Sequence, residues 1–74
     1  MKILLLVIQE VIETKDGSRI DHSFRVAFTM KPLLNEVKKR FGGNISWEVQ
    51  AENILFSEIS EKITATIVKM NADE

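Results

Sequence analysis

The chain has 74 residues, ten basic and eleven acidic side chains, one histidine and no cysteine, for a net charge of −1. That is enough for one domain, excludes disulfides and thiolate metal sites, and leans towards a reducing, cytoplasmic setting. The charge is unevenly spread: residues 31–40 carry +3 and residues 44–74 carry −4, a modest dipole and not the basic footprint that drives DNA binding.

The first segment, "KILLLVIQ", places six aliphatic residues in a row, Ile3 to Ile8. It resembles a secretion signal only superficially, because Gln9 and Glu10 follow without a small-residue cleavage site. It is also far short of the about 20 apolar residues of a membrane span. Residues 2–14 and 18–30 read as two strands joined by "KDGS". Asp16-Gly17 predicts a two-residue type I′ turn, which would set Val7 opposite Val26, Leu5 opposite Phe28 and Val11 opposite His22. Along the second strand Ile20, His22, Phe24, Val26, Phe28 and Met30 alternate with Arg19, Asp21, Ser23, Arg25, Ala27 and Thr29. This period of two predicts one buried and one wet face.

In "TMKPLLNEVKKRFGGN", Pro32 fits a first helical turn, with Thr29 or Lys31 near the cap. Leu33, Leu34, Val37 and Phe41 form one apolar stripe. Lys38, Lys39 and Arg40 complement the dipole of the last turn, and Gly42-Gly43-Asn44 ends the helix. "NISWEVQ", "ILFSEI" and "KITATIVKM" read as three further strands. The expected fold class is therefore α+β, in the order ββαβββ: a mostly antiparallel sheet with one helix on one face. Residues 1–70 form a single small domain, and residues 71–74 a frayed polar tail.

The first strand is apolar on both faces, and one helix can cover only one of them. With the two-residue turn, the helix is expected over the face of Leu5, Val7, Phe24 and Val26. Leu4, Leu6, Ile8 and Ile12, beside Arg25, then form an outward strip for a partner or a symmetric homodimer. A longer turn would exchange the two sets.

No catalytic constellation emerges from these residues. His22 and Ser23 are neighbours on opposite faces of a strand and cannot meet. No spacing marks a metal or cofactor site. The carboxylate pairs Glu10/Glu13 and Glu58/Glu61 are more simply solvated strand ends. The Gly42-Gly43 pair follows a helix, whereas a phosphate cradle precedes one. The best nucleic-acid feature is Lys31 with Lys38, Lys39 and Arg40, and Trp47 as a stacking platform. The acidic set Glu48, Glu52, Glu58 and Glu61 could meet a basic partner, or serve only solubility.

The ββαβββ order resembles a β-grasp, in which a hairpin is followed by a diagonal helix and further strands. The likeness is one of architecture and implies no activity. Ubiquitin-like modifiers and sulfur carriers of that fold end in Gly-Gly, whereas these residues end "NADE", so carrier chemistry is not expected. The resulting expectation is a non-enzymatic, cytoplasmic protein acting through protein–protein contacts, as an inhibitor or adaptor of the kind phages and mobile elements encode. The alternatives are a weak nucleic-acid binder, with nucleic acid the less favoured partner, and a structural subunit of an assembly. No membrane association is expected.

Overall fold

The computed structural model describes residues 1–71. Strand β1 (Lys2–Thr14) turns into β2 (Gly17–Ala27), and helix α1 (Met30–Phe41) follows. Three more strands complete the sheet: β3 (Glu48–Ala51), β4 (Ile54–Glu58) and β5 (Ile63–Asn71). The five strands lie in the order β2-β1-β5-β4-β3, and every neighbouring pair is antiparallel. The likeness to a β-grasp is thus confined to element order. Asn71 closes β5 and is not part of a tail; the remainder of the expected tail lies outside the described residues.

The hairpin differs from its predicted turn. Thr14 pairs with Gly17, so the loop is Lys15-Asp16. Within the corner the positive φ falls on Gly17, at 124°, and among the described residues only glycines have one. A type I′ turn needs positive φ at both central residues, and Asp16 does not supply it. Thr14 Oγ1 donates to the Gly17 carbonyl at 2.7 Å, closing the corner. The register therefore moves by two: Val7 opposes Phe24, Leu5 opposes Val26 and Val11 opposes Ile20. A shift of two keeps every side chain on its expected face.

The helix, however, lies on the other face. Its buried residues, Leu33 and Val37, pack with Leu4, Leu6 and Ile8 of β1 and with Ala65 and Ile67 of β5. Leu4, Leu6 and Ile8, expected as an outward partner strip, are the centre of the core; Leu6 is 1% exposed. The physical reason is topological. The chain of antiparallel ladders makes β2 and β3 parallel at opposite edges, so α1 is a crossover spanning the sheet. The handedness of that crossover, not the alternation within β2, decides which face the helix covers.

The helix otherwise follows its sequence, except that Leu34, expected in the apolar stripe with Leu33, Val37 and Phe41, is exposed. Thr29 is the N-cap, although its side chain makes no capping bond. Gly42 at φ 99° ends the helix, donating its N–H to the Lys38 carbonyl at 2.8 Å. Three strands are shorter than expected, "ILFSEI" by its last residue alone. β2 stops at Ala27 because Met30 already begins the helix, and "NISWEVQ" contributes only its last three residues to β3. Ile45 and Trp47 precede that strand and pack against the core.

Candidate functional site

The site is built from the residues that the helix leaves uncovered. On β1 these are the odd-numbered Ile3, Leu5 and Val7, which stand beside Met70, Val68 and Thr66 of β5 and, on the other side, Val26 and Phe24 of β2. The face continues onto β4 through Ile54 and Phe56, paired with Val68 and Thr66. Alternation along each strand carries all of these to one side. The helix and the loops bearing Ile45, Trp47 and Ile59 pack on the opposite side. Along β2 the exposure is largest: Ile20, Phe24 and Val26 are 56%, 67% and 58% exposed, and Phe28, just beyond the strand, 69%. Monomeric proteins seldom leave a contiguous apolar face of this kind without a use for it.

His22 belongs to this face. Its ring stacks on Phe24 with centroids 6.2 Å apart and planes inclined by 18°, and its Nε2 lies 3.2 Å from Oε1 of the opposed Gln9. Ser23 points to the other side, as alternation requires. The Glu10/Glu13 pair does not assemble either. Glu10 accepts from Arg40 Nη2 at 2.7 Å on the helix side, while Glu13 pairs with Lys62 Nζ at 2.8 Å. The exposed Glu13 carboxyl is held below the ordinary glutamate range by its hydrogen bond from Lys62 and then by the charge of that ammonium.

The other expected site residues are scattered. Ile12 is half-buried near the hairpin tip, opposite Arg19, on the same side as Leu6. Arg25 also faces the helix side and pairs with Glu36. Neither belongs to an outward strip, for the same crossover reason that buries Leu4, Leu6 and Ile8. Lys31 lies in the first turn of α1, and Lys38, Lys39 and Arg40 lie in its last, about 10–14 Å further along the axis. Arg40 is engaged twice, by Glu10 and by the Phe41 ring 5.0 Å from its guanidinium carbon. Trp47 is half-buried against the core and does not stand free as a stacking platform.

Two hollows remain. A cavity of about 120 Å³ lies between α1 and β2, flanked by Arg25, Glu36 and Arg40, and a shallow groove of about 420 Å³ runs by Val11 and Lys62. The first is below the about 300–1,000 Å³ usual for small-molecule sites. Each is lined by a serine and a carboxylate, Ser23 with Glu36 in the first and Ser60 with Glu61 in the second, but Glu36 is paired with Arg25 and the Ser60 hydroxyl accepts from the Lys62 backbone N–H at 3.2 Å. No helix among the described residues is long and apolar enough to cross a membrane.

The exposed residues of β2 carry a visible signal, the alternation of Ile20, Phe24, Val26 and Phe28, which reads as a core face because apolar alternation usually marks one. What the fold and face define is a small α+β module whose sheet is covered on one side only. Comparison with protein-family models, with curated proteins and with solved structures finds no match.

Proposed function

We propose that the protein acts without catalysis, by docking another protein against the open face of its sheet. One observation carries this reading: Phe24 and Val26 stand exposed beside Val7 and Leu5, which in turn adjoin Thr66 and Val68 of β5, with α1 on the reverse side. Burying an aliphatic or aromatic side chain of this size contributes roughly 1.5–3 kcal/mol, so a few of them at a well-packed contact offset the entropy of association. An inhibitor or adaptor would work through a contact of this kind, and the cysteine-free composition supports a cytoplasmic site of action.

The test uses Val68→Glu, which charges the middle of the face on β5 without touching the core cluster. Wild-type protein and variant are immobilised and exposed to extract from the native host, and their melting curves are compared. The reading expects a partner retained by wild type and lost by a variant that still melts cooperatively. A partner bound equally by both would contradict it.

A further inference from the structure

The two edges of the sheet are not alike. The β3 edge is four residues long and its register breaks between Val49 and Ala51. Short, bulged edges are poor templates for added strands. The β2 edge is eleven residues long, pairs with β1 without a break from Ala27 to Gly17, and contains neither proline nor lysine. Its outer row of backbone donors and acceptors is therefore a continuous template.

We infer that a second copy of this chain pairs along that edge, β2 against β2 antiparallel, about a two-fold axis at Ser23. The choice of partner and register comes from the strand's own charges. Opposed residues of an antiparallel pair share a face, so the register can move only in steps that preserve faces. With Ser23 on the axis, Asp21 opposes Arg25 of the second copy, and symmetry repeats the pair. On the other face Ile20 opposes Val26 and His22 opposes Phe24. An axis at His22 would instead set Arg19 against Arg25, a like-charge pair, and an axis at Phe24 would leave Asp21 opposite Ala27. Opposite charges directly across a ladder stabilise it and like charges do the reverse.

The monomer already prepares these groups. Arg25 is held upright by Glu36 and remains half-exposed, and Asp21 is held by Arg19 with Nε–Oδ1 at 3.3 Å. Each charge thus has a screening partner in the free chain and gains a second in the pair. Symmetry about an axis perpendicular to the sheet keeps both helices on one side. The two five-stranded sheets become continuous, and the two open apolar faces join into one. The edge contact does not depend on what that face binds.

Sedimentation of charge variants separates the possibilities. At tens of micromolar the wild type should run at twice 8.5 kDa. Asp21→Arg places two arginines opposite each other, and Arg25→Asp places two aspartates opposite each other, so each alone should run at the monomer mass. Mixed in equal amounts they should return to the dimer mass, because arginine then meets aspartate at both crossings. Val68→Glu, which charges the open face away from the edge, should leave the dimer intact. A monomeric wild type, an intact Asp21→Arg dimer, or folded single variants that fail to associate when mixed would overturn the proposal. A dimer lost in Val68→Glu but kept in Asp21→Arg would show face-to-face packing in its place. Hydrogen exchange of the wild type gives a readout independent of any variant: the outward amides of β2 should slow as concentration rises, and concentration-independent exchange would overturn it too.

Discussion

Arg40 in the last turn of α1 donates to Glu10 of β1 at 2.7 Å, a contact spanning thirty residues of sequence. With the Arg25–Glu36 pair one turn earlier, it ties the helix to the β1–β2 half of the sheet. The two side chains are 33% and 28% exposed, so water screens the attraction and the pair contributes modestly. A double-mutant cycle of Arg40→Met with Glu10→Gln should give a coupling below about 1 kcal/mol, measured by urea denaturation. A coupling of several kcal/mol would mean that the pair is buried.

Ser57 gives the opposite case. It is 1% exposed, and its hydroxyl has no hydrogen-bond partner among the described residues. It pairs with the buried Ala65 on the helix side of the sheet. A buried polar group without a partner costs about 1–3 kcal/mol. Ser57→Ala should therefore leave the melting temperature unchanged or raise it, and a clear fall would show that the hydroxyl is bonded.

The acid side of the stability profile involves Glu13. Its folded-state pKa is depressed by Lys62, so the contribution is present above the unfolded-state value and disappears as pH falls through the folded one. NMR titration of the Glu13 carboxyl should show protonation at lower pH in the wild type than in Lys62→Met. Identical curves would mean that Lys62 does not stabilise the Glu13 carboxylate in solution.

Gly17 adopts φ 124°, and nothing lies within 4 Å of the point where a Cβ would stand. Space is not the obstacle there; backbone conformation is. Gly17→Ala should destabilise by about 1 kcal/mol or somewhat more, whereas the same change at Asp16 should be nearly silent. Thermal melts of the two variants decide this.

Much of this architecture is legible in the residues. Leu33, Val37 and Phe41 with Gly42 mark the helix, and the alternation on β2 correctly groups Ile20, Phe24 and Val26 with Leu5 and Val7. The direction of that group is not legible. Local pattern records which side chains share a face, but a crossover from one sheet edge to the other decides which face is roofed. The turn falls one residue earlier than its motif predicts for a related reason. Asp16-Gly17 announces a corner, yet only Gly17 takes the positive φ, so the loop falls on Lys15-Asp16.

The even-numbered residues Leu4, Leu6 and Ile8 of β1 form the core, while the apolar β2 row is free for a partner. Urea denaturation of Leu6→Glu and Phe24→Glu at low protein concentration tests this most directly. Burying an unpaired charge at Leu6 removes more than the few kcal/mol that separate a small domain from its unfolded state, so that variant should be unfolded in buffer. Phe24→Glu should keep a cooperative transition with a midpoint close to the wild type. Equal loss of folding in both variants would contradict this division of the sheet.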